Sequence, residues 1–226
     1  MRRRIAVVTG ANRGLGKAVA TELHHRGLDV VVTARDKPAA VAAAAGIGPG
    51  VRAESLDVTD PGSVAAAAAG IGAADILVSN AGVLLDAGCD PLTVPLDLVE
   101  RTLAVNLLGS WRTAQAFVPA MITRGWGRVV FVSSGSASFG YGIFPGTPGY
   151  SASKTALNAL TVMLAKHTEG TGVLVNAVNP RMTRTRMMPH ATREPGEAAV
   201  GIADAATLPD DGPSGAFLSG GTRIEW

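Results

Sequence analysis

The 226-residue chain has little of what disulfide-rich, membrane-spanning or nucleic-acid-binding proteins depend on. Its one cysteine, Cys89, can form neither an internal disulfide nor a cysteine-rich zinc site, so a cytoplasmic location is expected. No apolar run approaches the roughly 18 residues of a membrane span, and the run that follows the N-terminal arginines is too short for a signal peptide. A formal net charge of +2 gives no reason to expect a nucleic-acid partner.

What the sequence does contain is an alternation of short β-branched runs with helical patterns, at 47% hydrophobic residues. The length suits one α/β domain over residues 1–226. Strands without polar alternation indicate a parallel sheet buried on both faces, and βα units in series give a doubly wound fold. Strands are predicted at 5–9, 28–34, 51–57, 75–80, 128–133, 173–178 and 216–219. Helices are predicted at 15–26, 38–45, 61–69, 95–124 with a kink at Pro119, and 150–169, with loops over most of the remainder.

A glycine-rich turn joins the first predicted strand to the first predicted helix. Glycines at this junction allow a tight turn and let the backbone approach a pyrophosphate at the helix N-terminus, where the N–H groups and the dipole favour an anion. The spacing is G-x-x-x-G-x-G, which differs from the G-x-G-x-x-G fingerprint. The candidate cofactor-binding residues here are Gly10, Asn12, Arg13, Gly14, Leu15 and Gly16.

This turn and four later motifs together resemble the short-chain dehydrogenase/reductase family. The later motifs are Asn80-Ala81-Gly82, Asn106, Ser133-Ser134 and Tyr150-Ser151-Ala152-Ser153-Lys154, in order along nearly the whole chain. The resemblance implies a single Rossmann-like domain with a mostly parallel, seven-stranded sheet. It also implies a carbonyl-reductase-like oxidoreductase.

The resemblance assigns four catalytic residues: Asn106, Ser134, Tyr150 and Lys154. Tyr150 would protonate a carbonyl oxygen while hydride arrives from the nicotinamide, Ser134 would orient that oxygen, and Asn106 would hold a helix distortion that continues a proton relay. Tyr150 and Lys154 are four apart and so share one helix face, where an ammonium group is expected to lower the pKa of the phenol. Lys154 would also hold the nicotinamide ribose.

More than one serine could orient the substrate oxygen. Sixteen positions separate Ser134 from Tyr150, which is more than the family usually has and indicates a small insertion within 140–148. Ser136 and Ser138 are close enough to take the same role. Ser134 is preferred because it follows the strand directly.

Further cofactor contacts are carried over from the resemblance. Asp57 and Val58 would contact the adenine, although Asp57 could simply cap a turn. Asn80, Ala81 and Gly82 would steady the sheet beside the cofactor. Pro180 and Thr185 belong to a loop over the nicotinamide, in which Arg181 stands where the family usually has glycine. That arginine either faces solvent or reaches an anionic group.

The end of the second strand argues for NADPH over NAD(H). NAD recognition usually uses a carboxylate at this point, but Ala34 occupies it. Arg35 follows directly, and with Arg13 it could bracket a 2′-phosphate through charge-assisted hydrogen bonds. In the alternative, Arg35 pairs with Asp36 or solvent, and an inward-pointing Asp36 would repel the phosphate.

The substrate class is indicated only broadly. A short lid is expected at about 186–206, and an apolar pocket would indicate a small, fairly hydrophobic carbonyl compound, although each candidate side chain could equally be core. The candidates are Phe139, Tyr141, Phe144, Met187 and Met188. No histidine has metal-ligand spacing, and the chemistry needs no metal.

Besides a small-molecule substrate, the resemblance implies further copies of the same chain as partners. The family often forms dimers or tetramers through its two long helices, and Trp111 suits such packing or a buried role within the chain. No membrane and no nucleic acid are expected. The alternatives to an NADPH-dependent reductase are an NAD-linked alcohol dehydrogenase and a non-catalytic NADP(H)-binding sensor or scaffold.

Overall fold

Eight strands form one sheet in the order β3-β2-β1-β4-β5-β6-β7-β8, in a computed structural model that describes residues 3–226. The strands are β1 Ile5–Val8, β2 Asp29–Ala34, β3 Arg52–Ser55, β4 Ile76–Ser79, β5 Gly127–Val132, β6 Val173–Val178, β7 Phe217–Ser219 and β8 Thr222–Ile224. All neighbours pair in parallel except β7 and β8. The strand order reverses direction between β1 and β4, and parallel sheets bind ligands at the carboxyl ends of strands beside such a switch.

The predicted doubly wound α/β fold is confirmed, but the expected count of seven strands is wrong by one. The eighth strand, Thr222–Ile224, forms a hairpin with β7 through Gly220 and Gly221, which both have positive φ. It is a three-residue edge strand, and two of its residues, Thr222 and Arg223, are exposed. Such a short, polar segment has no hydrophobic pattern by which it could be found.

Helices cover both faces of the sheet. Their bounds are α1 Gly14–His25, α2 Lys37–Ala45, α3 Pro61–Ile71, α4 Leu96–Leu103, α5 Ser110–Arg124, α6 Pro148–His167 and α7 Pro195–Ala206. Successive strand residues alternate between two cores: Val8 packs with α1, α2 and α7, whereas Val7 packs with α3, α5 and α6. This burial on both faces explains the continuous apolar runs of the central strands.

Two helical predictions need correction. The single helix predicted over 95–124 is divided by a π-helix at Ala104–Gly109, and α5 continues through Pro119. The loops predicted after β6 include α7, whose alanine-rich face is buried against the core. The predicted lid of 186–206 therefore has a core helix as its second half. No described helix combines the length and apolarity needed to cross a bilayer.

Candidate active site

The glycine turn packs closely on the segment that follows β4. A Cβ on Gly16 would lie 2.4 Å from Asn80 Nδ2, and one on Gly10 would lie 3.0 Å from the Cα of Ala81. Gly10 also has a φ of +62°. Only glycine allows this approach, so the turn has the shape of a cradle that any side chain would fill.

Thr9, which was not among the predicted site residues, holds these two segments together. Its buried Oγ1 accepts hydrogen bonds from the backbone N–H groups of Asn80 and Ala81, at 2.9 and 3.0 Å. Asn80 Nδ2 in turn donates to the carbonyl oxygen of Thr9 at 2.9 Å. A threonine that ends a strand just before a glycine turn is the only sequence signal for this role.

The N-terminus of α1 is open toward the same edge of the sheet. Its N-cap residue, Arg13, provides no side-chain hydrogen bond to the first turn, and its side chain is exposed. A Cβ on Gly14 would lie 3.8 Å from Thr185 Cγ2, so the loop after β6 lies next to the glycine turn. Free N–H groups at the start of a 12-residue helix, beside a glycine cradle, suit a dinucleotide pyrophosphate.

The end of β2 leaves Arg35 exposed and gives Asp36 a separate role. Asp36 Oδ2 accepts a hydrogen bond from the backbone N–H of Ala39 at 3.2 Å and caps α2. The Arg35 side chain is exposed, and its carbonyl oxygen accepts from Ser55 Oγ at 3.0 Å. The carboxylate that could have repelled a 2′-phosphate is thus engaged at a helix N-terminus.

Asp57 caps a turn, which was the alternative to an adenine contact. Its Oδ1 accepts from Thr59 N at 2.9 Å and Thr59 Oγ1 at 2.7 Å. Burial raises the pKa of Asp57, but the Thr59 hydrogen bonds and the positive charge of Arg35 together hold the pKa below its ordinary value. Its neighbour Val58 is buried, and a Cβ on Gly109 of the π-helix would lie 2.6 Å from Val58 Cγ2.

Asn106 lies in the π-helix and is fully buried. Its Oδ1 accepts from the backbone N–H of Val83 at 2.8 Å, and its Nδ2 donates to the carbonyl oxygen of Val83 at 2.9 Å and to Ser153 Oγ at 3.0 Å. The amide thereby joins the π-helix to the segment after β4 and to α6. A π-helical turn accommodates an extra residue inside an otherwise α-helical run, and such turns occur frequently at functional sites.

Lys154 is buried beneath Tyr150. Its Nζ donates to the carbonyl oxygen of Val132 at 2.7 Å and lies 5.8 Å from the centroid of the Tyr150 ring. Burial lowers the pKa of Lys154 to about 8. The two residues therefore share a helix face, as their spacing predicts.

The expectation that this ammonium lowers the pKa of the phenol is wrong. Burial raises the pKa of Tyr150 above its ordinary value, and only a side-chain hydrogen bond with Ser134 opposes the rise. The physical reason is that desolvation disfavours the phenolate. Lys154 Nζ makes its hydrogen bond to the carbonyl oxygen of Val132 instead.

Among the three candidate serines, Ser134 is the one whose side chain lowers the pKa of Tyr150, against the larger effect of burial. Ser136 adjoins it, since the two Oγ atoms lie 3.0 Å apart and Ser134 Oγ accepts from Ser136 N at 3.2 Å. Ser138 is buried and turned elsewhere, because its Oγ donates to the carbonyl oxygen of Glu225 at 3.0 Å.

The loop after β6 contains a residue in the left-handed region. Arg181 has a φ of +60° and an exposed side chain. Its backbone N–H donates to Asn179 Oδ1 at 2.9 Å, and its Nε donates to Ser219 Oγ at 3.2 Å. Arg193 Nη1 donates to the carbonyl oxygen of Pro180 at 3.1 Å and ties down the far end of the loop.

The side chains proposed to line an apolar pocket are all on the surface. Their exposed fractions run from 39% for Met187 to 71% for Phe139. The same set includes Tyr141, Phe144 and Met188. The sequence left open whether each of them lines a pocket or belongs to the core. The structure excludes the core for all five. Over residues 3–226, no three His, Cys, Asp or Glu side chains group so that they could hold a metal ion.

Comparison with known proteins finds relatives along most of the chain. A glycine betaine reductase of Emericella nidulans is 38% identical over 84% of this chain, which spans only 15% of that longer protein. An uncharacterized NAD-dependent oxidoreductase of Mycobacterium tuberculosis is 37% identical over 82% of this chain and 73% of its own length. A 3-oxoacyl-[acyl-carrier-protein] reductase of Escherichia coli is 33% identical over 81% of this chain and 75% of its own.

The fold has equally clear counterparts. A solved short chain dehydrogenase/reductase family protein superimposes with a TM-score of 0.89, at 32% identity, over 96% of this chain and 94% of that one. The sequence profile described as short chain dehydrogenase matches residues 4–196, well over half of the chain. The protein is therefore a member of the short-chain dehydrogenase family.

Proposed function

We propose that this oxidoreductase uses NADPH to reduce the carbonyl group of a small, fairly hydrophobic substrate to an alcohol, reversibly. The observation that carries the proposal is the cluster of Ser134, Tyr150 and Lys154 beside the glycine cradle. The Ser134 side chain is near enough to lower the pKa of Tyr150, and Lys154 Nζ lies 5.8 Å from the centroid of the Tyr150 ring. A hydroxyl, a phenol and a buried amine in this order suit proton transfer to a carbonyl oxygen.

The raised pKa of Tyr150 keeps its hydroxyl protonated at neutral pH. Tyr150 therefore holds the proton that the reduction consumes, and Ser134 Oγ orients the substrate oxygen toward it. Lys154, held by the carbonyl oxygen of Val132, lies beside the ring, where its ammonium can return a proton to the phenolate that remains. In the oxidative direction the same phenolate accepts the proton of the alcohol.

Asn106 acts through the backbone. Its amide fixes Val83 and Ser153, and Ser153 Oγ also donates to the carbonyl oxygen of Tyr150 at 2.7 Å. The π-helix that contains Asn106 is thereby linked to the turn of α6 that contains the phenol. We expect this link to keep open the proton route from Lys154.

The residues that would hold the cofactor surround the cradle. The N–H groups of Gly14, Leu15 and Gly16 would bind the pyrophosphate, and Lys154 would hold the nicotinamide ribose. The reduced nicotinamide, when bound, supplies the hydride that reduces the carbonyl carbon. The other proposed contacts are Gly10, Asn12, Asp57, Val58, Asn80, Ala81, Gly82, Pro180 and Thr185.

Arg13 and Arg35 would bind the 2′-phosphate of NADPH. Both follow neighbouring parallel strands, β1 and β2, at the same edge of the sheet, and both are exposed. The capping role of Asp36 supports this preference, because its carboxylate is bonded to Ala39 N. The NAD-linked relative makes NAD(H) the competing cofactor, and with it an NAD-linked alcohol dehydrogenase.

The substrate and assembly follow from the surface. Exposed Phe139, Tyr141 and Phe144 favour a hydrophobic carbonyl compound over a strongly polar one. Leu108, Trp111, Val162 and Met163 are more than a third exposed near and along α5 and α6, which favours a homodimer or homotetramer through these helices. With a single free cysteine, the proposed location is the cytoplasm.

The decisive experiment measures NADPH oxidation with ketones, aldehydes and quinones for the native protein and Tyr150→Phe. We expect the variant to lose about 10²-fold or more in kcat, since that is what a general acid contributes, while its Kd for NADPH stays within about twofold. Equal rates would refute Tyr150 as the acid. Cofactor binding without turnover in both proteins would instead support the sensor or scaffold.

Arg35→Ala decides the cofactor. We expect its Kd for NADPH to rise about tenfold or more and its Kd for NADH to change little. Lys37→Ala is the matched control, since it removes a nearby cation that is already bonded to Glu54 and to the carbonyl oxygen of Ala53. If Arg35→Ala leaves the two affinities unaltered and NADH binds more tightly, the NAD-linked alternative is correct.

A further inference from the structure

Asp86 is a buried carboxylate that no part of the proposed reaction uses. It is fully buried, six residues beyond Asn80. Its Oδ2 accepts hydrogen bonds from the backbone N–H groups of Gly149 and Tyr150, at 2.5 and 3.2 Å. The carboxylate thus binds the first turn of α6, 63 residues further along the chain.

These two N–H groups are the ones that α6 cannot satisfy by itself. Pro148 opens the helix and has no N–H, and the N-cap residue Thr147 gives no side-chain hydrogen bond to the first turn. An N-cap side chain ordinarily accepts from the second or third helical N–H, which here belong to Gly149 and Tyr150. Asp86 therefore serves as the cap of a 20-residue helix from a distant segment.

The close approach has a steric requirement of its own. A Cβ on Gly149 would lie 3.1 Å from Asp86 Oδ2 and 3.2 Å from the Cα of Val99. Both distances are shorter than ordinary contacts, so a larger residue would require the carboxylate or the helix to shift by a few tenths of an ångström. The absence of a side chain at position 149 thus sets how deeply the first turn is seated.

The second carboxylate oxygen makes the arrangement costly. Oδ1 is buried and has no hydrogen-bond partner among the described residues. A buried acceptor without a partner destabilises the fold, whereas the N-terminal end of α6, which Oδ2 contacts, favours a carboxylate. A neutral cap at position 147 would hold the helix without this penalty, so helix stability alone does not explain Asp86.

The segment that contains Asp86 also joins the other parts of the site. It is bonded to Thr9 through Asn80 and to Asn106 through Val83. Gly88, just past Asp86, donates from its backbone N–H to the carbonyl oxygen of Gly146 at 2.9 Å. Hydrogen bonds therefore connect one short segment, residues 80–88, to the cofactor cradle, the π-helix and the first turn of α6.

We infer that Asp86 is a positioning residue, which seats the first turn of α6 and thereby fixes the phenol of Tyr150 against Ser134. The inference rests on the proposed role of Tyr150 as proton donor. Asp86 acts through the backbone of Gly149 and Tyr150 and contacts neither substrate nor cofactor.

The test reads Tyr150 directly and needs no substrate. The chain has two tyrosines, so Tyr141→Phe leaves Tyr150 as the only phenol to titrate at 295 nm. In this background, Asp86→Asn loses the charge but keeps an acceptor oxygen, whereas Asp86→Ala loses both. We expect the pKa of Tyr150 to fall modestly in Asp86→Asn and by at least half a pH unit in Asp86→Ala, as the first turn loosens and the phenol gains water. Lys154 remains unchanged beneath the ring in both variants.

Asp60→Ala is the matched control. Asp60 caps α3 by accepting from Gly62 N at 2.9 Å, so its loss removes a helix cap away from Tyr150. It should lower the Tm without moving the pKa of Tyr150. If both Asp86 variants leave that pKa unchanged, Asp86 is only a structural cap and the inference fails. Asp86→Asn reports the loss of charge alone, so a fall in Asp86→Ala no larger than that in Asp86→Asn would also overturn the inference. Should Asp86→Ala not fold, Asp86→Ser takes its place in this comparison.

Turnover provides a second readout once a substrate is known. We expect Asp86→Ala to lose at least tenfold in kcat with KM and the Kd for NADPH within about twofold, and Asp86→Asn to recover most of the loss. Equal kcat in Asp86→Ala and the native protein would overturn the inference. A different outcome would refute the proposed function instead. In that case Asp86→Ala shifts the pKa of Tyr150, but Tyr150→Phe is as active as the native protein.

Discussion

Lys154 Nζ donates a 2.7 Å hydrogen bond to the carbonyl oxygen of Val132, the last residue of β5. A single carbonyl replaces only part of the water that an exposed ammonium binds, which is why burial lowers the pKa of Lys154 from 10.5 to about 8. The amine beside the Tyr150 ring is therefore mostly neutral in the native protein above about pH 8. This relationship makes stability depend on pH.

The first prediction concerns that dependence. Between pH 8 and 10.5 the unfolded chain holds a proton on this amine that the native protein has released, so rising pH favours the native state. Relative to Lys154→Met, which cannot titrate, the native protein should gain about 1.5 kcal/mol in free energy of unfolding from pH 8 to pH 9.5. Urea denaturation of both proteins at several pH values measures the gain. A difference that stays constant or shrinks contradicts it.

The second prediction concerns Asn106. Replacement by alanine leaves the partly buried N–H and carbonyl groups of Val83 without their partner. We expect Asn106→Ala to lower the free energy of unfolding by about 2–4 kcal/mol, since each unsatisfied buried group costs about 1–3 kcal/mol.

Asn158→Ala is the control for this loss. Asn158 is also a buried amide, but its one short hydrogen bond, 2.6 Å, is to the rotatable hydroxyl of Ser133. It should lose only about 1 kcal/mol. Equal losses in urea denaturation would mean that the bridge to Val83 is not what makes Asn106 important.

The third prediction separates two helical glycines. A Cβ on Gly16 would lie 2.4 Å from Asn80 Nδ2 and 2.6 Å from the carbonyl oxygen of Gly10, whereas one on Gly201 in α7 would approach nothing closer than 3.7 Å. Gly16→Ala should destabilise the fold by about 1–3 kcal/mol through overpacking. It should also weaken NADPH binding at least tenfold. Gly201→Ala should stabilise the protein by about 0.5–1 kcal/mol and leave the Kd unchanged, as fluorescence titration would show.

The core strands and the cofactor turn were predictable because their signals are local. Apolar runs specify β1, β2 and β4, and the glycine spacing specifies the cradle that packs on Asn80. The π-helix around Asn106 gives no such signal, since its six residues read as ordinary helix. Its buried amide is bonded to Val83 and Ser153, which are distant in sequence. The resemblance to the family supplied that distortion where periodicity did not.

Other features depend on partners that are distant in sequence. Asp86 reads as an ordinary loop residue until α6 is placed above it, and its role depends on a contact across 63 positions. The direction of the Tyr150 pKa shift was mispredicted for a related reason. The spacing along the helix shows that Lys154 is near Tyr150. Burial, however, depends on the whole fold, and it has the larger effect on the pKa of the phenol.

The last prediction isolates backbone strain at Arg181. Its φ of +60° lies in the left-handed region, where a residue with a Cβ is disfavoured by about 1–2 kcal/mol relative to glycine. Arg181→Ala removes the hydrogen bond to Ser219 but keeps the strain, whereas Arg181→Gly removes both. Arg181→Gly should therefore be more stable than Arg181→Ala by about 1 kcal/mol in urea denaturation. Ser219→Ala is the control, since it deletes the same bond from the other side. In the double variant it should add only the loss of the weak 3.4 Å hydrogen bond from Ser219 Oγ to the carbonyl oxygen of Asn179. If the alanine and glycine variants prove equally stable, residue 181 carries no backbone strain once the arginine side chain is removed, and the prediction is wrong.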